Sequence, residues 1–376
     1  MRQIQGCSSS PLFWALVAAA LLHSGTPCLA ESAASPIKMV ITEANKADAA
    51  AVAGWKREGY GAVVLVLDEG QKASALQKAG KRITQSGLDL YLWIEVARNP
   101  AMAREHPEWL AALGMHDDWR KRFPKVRPLE KGEVAKAWPW VPIVYRQAFD
   151  AHKARVEHLL ARAPEGYRGI LLNDLQGGPA SCGCGNLQCR WAVDYHVPST
   201  ATKLAGTDSA ARFLAEIRKL ANGTEVIPVW TPECEAEDLP RNHGLNPGWS
   251  TGYCGTVPCL ETCRKRFADQ WTALLATHHG PVAAILLHRE FARERKEYGG
   301  HAAWISQATD SLTKGPARLP RQRLWVVVQG YDVTSEDENA ACRLAAKAGA
   351  AAIVVARARL DQSYEPRIVA ARARQP

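Results

Sequence analysis

Ala62–Glu95 reads AVVLVLDEGQKASALQKAGKRITQSGLDLYLWIE. Two apolar runs, Ala62–Leu67 and Leu88–Glu95, flank a longer stretch of helical character. Both runs are apolar on consecutive residues, which is how a strand reads when both of its faces are buried. A strand, a helix and a second strand in that order form the unit of a parallel sheet, because parallel neighbours need a long crossover.

The same unit repeats on either side. Further strand-like runs are Ile37–Thr42 (IKMVIT), Gly169–Asn173 (GILLN), Glu225–Trp230 (EVIPVW), Val282–His288 (VAAILLH), Leu324–Gln329 (LWVVVQ) and Ala351–Ala356 (AAIVVA). Helical patterns separate them, such as Thr207–Asn222, with Thr207 or Asp208 as N-cap, and Ser335–Ala350, with Ser335 as cap and Gly349 near its stop. Eight such units predict an α/β fold, a (β/α)8 TIM barrel, with enlarged loops after the third, fourth and fifth strands. Pro228 inside the fifth run is an objection, since proline cannot donate to a ladder. An open doubly wound sheet is the alternative, but no Gly-x-Gly-x-x-Gly turn supports a dinucleotide-binding version of it.

The first thirty residues read as an export signal. Arg2 is followed by the apolar run Pro11–Leu22, and Ala30 closes a segment that suits cleavage, so residues 1–30 read as a signal peptide and 31–376 as a single barrel domain. The apolar run is too short to span a bilayer, and no second such stretch follows, so no stable membrane insertion is expected after cleavage. The expected location is secreted or periplasmic. A formal charge of +9 is spread among interleaved acidic residues, apart from a basic C-terminal end at Arg367, Arg372 and Arg374. That distribution describes a solvated surface and no nucleic-acid partner. Thirteen tryptophans against six phenylalanines offer flat apolar faces of the kind that sugar rings pack on.

In a barrel of this type the chemistry gathers at the carboxyl ends of the strands. Those ends carry Glu43, Asp68-Glu69, Trp93-x-Glu95, Asn173-Asp174, Trp230 with Glu233, His288 with Glu290, Gln329 with Tyr331-Asp332, and Arg357 with Arg359. Paired carboxylates beside aromatic faces are what glycosidic cleavage requires, one protonating the leaving oxygen and the other attacking or activating water. The preferred pair is Asp174 and Glu290, with Glu233 as substitute. Glu95, Trp93, Trp230, Asn173, Gln329 and Tyr331 are the expected substrate-binding residues, and Trp138 or Trp140 would extend the cleft. Isolated histidines such as His278, His279 and His288 read as hydrogen-bonded structural residues.

Two segments carry a resemblance. Gly166–Asp174 (GYRGILLND) is similar to the fourth strand of many glycoside-hydrolase barrels, and His106–Leu110 (HPEWL) resembles a segment after the third strand of glycoside-hydrolase-like barrels. The resemblance implies a carbohydrate ligand, with Asp174 as nucleophile or base and Glu290 as acid. Two positions depart from the large retaining β-glycosidase clan, Asp174 standing after Asn173 where that clan has glutamate and Gln329 where it keeps its nucleophile.

Ten cysteines include Cys7 and Cys28 in the signal. Seven of the others fall in two loops, Cys182, Cys184 and Cys189 within 175–195, and Cys234, Cys254, Cys259 and Cys263 within 231–263. These loops follow successive strands and would meet at one end of the barrel. In an exported chain the first reading is disulfides joining them, and the second is a structural zinc site of four thiolates. No other cofactor is called for. Three functions thus stay open: a glycoside-hydrolase-like enzyme, a carbohydrate- or surface-binding barrel without turnover, and a Cys-rich metal-binding protein. Oligomeric state is not legible.

Overall fold

The computed structural model describes residues 35–112, 124–143, 146–175, 209–230, 273–287, 303–314, 318–360 and 365–370. Eight parallel strands close on themselves: β1 (Ile37–Thr42), β2 (Ala62–Val66), β3 (Asp89–Glu95), β6 (Gly169–Asn173), β7 (Glu225–Trp230), β8 (Val282–Leu286), β9 (Leu324–Gln329) and β10 (Ala352–Ala356). Their order around the ring is β1-β10-β9-β8-β7-β6-β3-β2. The protein is an α/β TIM barrel, and each of the eight apolar runs is one of its staves. Residues 1–34, both Cys-rich loops and the loops after β7 and β8 lie outside the described residues.

Alternation along each strand builds two cores. Ala62 and Val64 turn into the barrel with Met39, Ile41, Tyr91, Trp93, Leu171, Val327 and Val354. Val63 and Leu65 turn outward with Val40, Leu90, Ile170 and Val355. Over that outer layer pack the helices α1 (Ala49–Arg57), α2 (Ala73–Gln85), α4 (Arg146–Leu160), α5 (Ser209–Leu220), α6 (Ala303–Lys314) and α7 (Ser335–Lys347), while the short α3 (Pro100–Glu105) follows β3. Residues buried on both sides of a strand explain why the runs read as continuously apolar.

Pro228 is accommodated because the ladder from β7 to β8 pairs only Val229 with Ala283 and Trp230 with Ala284, starting just after the proline. The cap of α7 is Thr334, one residue earlier than expected: Thr334 is extended and its Oγ1 accepts from Asp337 N at 3.1 Å, leaving Ser335 inside the helix. The chain leaves that helix through Gly349 at φ 84°. No helix among the described residues is long and apolar enough to cross a membrane.

The eight-run pattern misses a second sheet. β4 (Ala111–Ala112), β5 (Glu133–Trp138) and β11 (Glu365–Ala370) form three antiparallel strands in the order β11-β5-β4. β4 and β5 leave from the carboxyl end of β3 and β11 follows the carboxyl end of β10, so the small sheet belongs to the mouth of the barrel. Val141 N donates to Ala97 O at 2.7 Å and Asn99 N to Pro139 O at 3.0 Å, tying the end of β5 to the segment that leaves β3.

Candidate functional site

Glu95 and Asn173 end neighbouring strands and stand directly opposite each other in register. Both continue the inward-facing alternation of Tyr91, Trp93 and Leu171, so their side chains meet at the top of the barrel interior. Asn173 Nδ2 donates to Glu95 Oε2 at 2.9 Å, and Trp93 Nε1 donates to Glu95 Oε1 at 2.8 Å. Glu95 is thus the acceptor at the centre of the cluster, with each oxygen fixed by one donor.

Asp174 completes it. Its φ of 63° puts it in the left-handed region, which turns the chain out of strand geometry and brings the carboxyl into hydrogen-bond contact with Glu95. The side chain is buried. Burial first, then the charge of Glu95 and the bond to it, hold the Asp174 carboxyl well above the usual carboxylate range, with Arg98 opposing. That shift favours the protonated form of Asp174, whose carboxyl is in hydrogen-bond contact with Glu95. Two oxygens of the cluster, Asn173 Oδ1 and Asp174 Oδ2, are buried and have no hydrogen-bond partner.

The opposite, amino end of the barrel interior is aromatic. Tyr91 of β3 meets Trp325 of β9 edge to face, with 5.6 Å between ring centroids, and these strands stand opposite each other in the ring. A Cβ on Gly169 would come within 2.8 Å of the Tyr91 ring, so only glycine leaves that ring its place. Trp93 is fully buried, and its role here is to hold Glu95 from below. Gln329 ends β9 across the mouth, also buried, and its Nε2 donates to Tyr331 O at 3.0 Å. Tyr331 packs in the interior cluster with the Arg359 guanidinium 5.4 Å above its ring, and Arg359 pairs with Asp332.

The remaining strand-end acids are engaged elsewhere. Glu43 pairs with Lys46 at 3.2 Å, and Asp68 caps its own loop by accepting from Gly70 N and Gln71 N. Glu69 is held by Arg155 of α4, which also donates from Nη1 to the Glu95 main-chain oxygen at 2.6 Å. Burial works against the Glu69 charge, but the bond and charge of Arg155 win and keep its carboxyl below the ordinary range. Arg155 thereby fixes the ends of β2 and β3 from behind. Sequence reading misses it because it lies 60 residues from Glu95 on the helix layer. Arg98 is missed likewise, since only the turn after β3 brings its charge near Asp174.

The HPEWL segment has a packing role. His106 lies flat on Trp109, 3.7 Å between centroids, and the turn is pinned from below by Lys136, whose Nζ donates to Glu108 O at 3.2 Å and Leu110 O at 2.9 Å. Burial pushes the Lys136 ammonium down to about 7. Trp140 is fully buried, and Trp138 is half-buried with the Arg367 guanidinium 4.8 Å over its ring.

Of the expected catalytic residues, Asp174 is placed, while Glu290 and Glu233 lie outside the described residues, as do the side chain of Trp230 and Cys182, Cys184, Cys189, Cys234, Cys254, Cys259 and Cys263. Cys342, half-buried on α7, is a free thiol. Among the described residues no group of three or more histidine, cysteine or acidic side chains could hold a metal ion. His278 is hydrogen-bonded to Pro281 O at 2.6 Å.

No family model matches the sequence, and no curated protein matches it. Solved structures to which the chain is similar include a β-glucosidase (TM-score 0.45, 11% identity, covering 84% of this chain and 77% of that one). Another is a β-galactosidase from the psychrophilic Marinomonas ef1 (TM-score 0.45, 12% identity, 85% and 54%). A third is an HpcH/HpaI aldolase from Desulfitobacterium hafniense DCB-2 (TM-score 0.36, 9% identity, 86% of each). Glycosidases and an aldolase stand side by side at TM-scores below 0.5, so these likenesses assign no activity.

Proposed function

We propose that this barrel is an exported, glycoside-hydrolase-like protein that acts on a carbohydrate by carboxyl acid–base chemistry at its mouth. The observation that carries the reading is the buried Asp174 carboxyl in hydrogen-bond contact with Glu95 at the carboxyl ends of the strands, where burial and the Glu95 charge raise its affinity for a proton. A carboxylic acid that keeps its proton at neutral pH is what protonation of a leaving oxygen requires. Its raised affinity for a proton suits Asp174 to the donor role rather than to nucleophilic attack. Glu95, in hydrogen-bond contact, is too close to be the second catalytic carboxyl, because glycosidase pairs stand about 5–9.5 Å apart. Glu290, with Glu233 as substitute, is the second carboxyl in this reading, and the cysteines of the two Cys-rich loops are paired as disulfides. Export to the periplasm or the medium supplies the oxidising surroundings those disulfides need.

The test is turnover of a panel of aryl glycosides and natural oligosaccharides by the purified protein and by Asp174→Asn and Glu290→Gln. The reading expects release of reducing sugar by the parent and a loss of about 100-fold or more in each variant. Binding without turnover in the parent would assign it instead to the carbohydrate-binding class, and metal-dependent folding with free loop thiols would move it to the third.

A further inference from the structure

Charges that are interleaved along the chain separate in the fold. α1 and α2 are tied side by side on the outside of the barrel: Lys56 Nζ, at the end of α1, donates to Ser86 O at 2.6 Å, and the Arg82 guanidinium of α2 donates to Ala47 O. Together the two helices carry Lys56, Arg57, Lys78, Lys81 and Arg82 and no acidic residue. The helices further round the barrel have acids of their own, and ion pairs form on them: Arg146 with Asp150 at 2.9 Å on α4, Lys219 with Glu216 at 2.6 Å on α5, and Lys314 with Asp310 at 2.8 Å on α6. The acids that flank α1 are already engaged. Asp48 caps that helix by accepting from Ala51 N at 2.8 Å, and Glu58 pairs with Arg357 at 3.2 Å.

The cations of α2 form a row. Leu76, Ala79, Gly80 and Ile83 bury one side of this helix. Ser74, Lys78, Lys81 and Gln85 are exposed along the other, four, three and four residues apart, a ridge about 16 Å long at the rise of an α-helix. Helix stability does not explain the charge. Lys72 stands at the N-cap of α2 without a capping bond, and no acid occupies the first turn, so the cation there opposes the helix dipole.

We propose that the α1–α2 face is a docking surface for a linear acidic polysaccharide, whose carboxylate or sulfate groups pair with Lys56, Lys78 and Lys81 while Ser74 and Gln85 bond to its hydroxyls. A straight row of cations with hydrogen-bonding side chains at either end matches a polymer that carries both anions and hydroxyls. A lipid surface fits less well, because interfacial helices bury an apolar face, and the one large hydrophobic side chain exposed among the described residues is Ile37, on β1. The face lies on the helix layer, away from the mouth. It therefore does not depend on the chemistry proposed there, and either reading can fail alone.

The test is binding of the full protein to polygalacturonate, dextran sulfate, uncharged dextran, polyglutamate and vesicles of mixed phosphatidylglycerol and phosphatidylcholine. Lys78→Glu/Lys81→Glu reverses the row, and glutamate matches lysine in helix propensity, so the fold should be kept. Arg343→Glu/Lys347→Glu makes the same change of net charge at exposed positions on α7. The parent should bind one or both acidic polysaccharides and not dextran, and added salt should weaken that binding. Lys78→Glu/Lys81→Glu should bind at least about tenfold more weakly, and the α7 variant within about threefold of the parent. Equal losses in the two variants would show attraction to net charge alone and overturn the proposal. So would polyglutamate binding as tight as that of the polysaccharides, vesicle binding without polysaccharide binding, or no binding to either acidic polymer. Failure of sugar turnover at the mouth would leave these outcomes unchanged.

Discussion

Two buried clusters are made from the same parts, a carboxylate, an aromatic donor and a polar neighbour, yet they sit on opposite faces of the barrel wall. In the layer between sheet and helices, Arg357 Nη2 reaches Tyr60 Oη at 3.2 Å, Glu58 at 3.2 Å and Glu338 at 3.4 Å. Burial and then the charge of Glu338 push the Tyr60 hydroxyl above its ordinary range. There the anions are matched by a cation, and Arg357 Nε is the one atom of the set left without a partner. Inside the barrel, Glu95 is held by the neutral donors of Trp93 and Asn173, burial and the Glu95 charge raise the proton affinity of Asp174, and two acceptors go unmet. The first cluster joins a helix to the sheet. The second leaves its bonding unfinished, as sites that must bind something do.

The difference predicts opposite responses to substitution. Arg357→Met should be the most harmful change, costing about 2 kcal/mol in urea denaturation, because it leaves the buried Glu338 without its counter-charge. This is below the range for fully buried pairs, since about a third of the Arg357 side chain is exposed. If Arg357→Met were neutral, the outer cluster would not be the structural one.

Next in size is a dependence on pH. The folded Asp174 keeps its proton above the pH at which the unfolded carboxyl loses it, about 3.9. In that window the native state binds more protons, so its contribution is complete below pH 4 and is lost as pH rises toward the folded value. The slope is at most about 1.4 kcal/mol per pH unit. Asp174→Asn should flatten this part of the stability profile, and an unchanged profile would refute the protonated state. At pH 7 the same variant should be about 1 kcal/mol more stable than the parent, because a neutral amide replaces a group whose charged form is disfavoured.

The smallest effect belongs to Arg155→Lys. Its Glu69 partner is half exposed, so the loss should be only about 0.5 kcal/mol. The bond to the Glu95 main chain should nonetheless register as a shift of the Trp93 indole N–H resonance. No shift would place Arg155 outside the site.

The sequence by itself determined the barrel. Eight strands buried on both faces need apolar residues in succession, and that demand is written locally in runs such as Ala62–Leu67 and Leu324–Gln329. It also pointed to the carboxyl ends of the strands as the place of the polar residues, because polar residues at strand ends are local too. Tertiary structure alone decided which acids meet. Glu43, Asp68, Glu69 and Glu95 look alike in the chain, but only Glu95 points inward opposite Asn173, and that depends on register between strands 78 residues apart. The small sheet was equally hidden. β5 (EVAKAW) carries Lys136 in its centre, and its partner β11 comes from the far end of the chain. Pairing of that kind is set by closure of the barrel, which brings the exits of β3 and β10 to one mouth, and no local pattern encodes it.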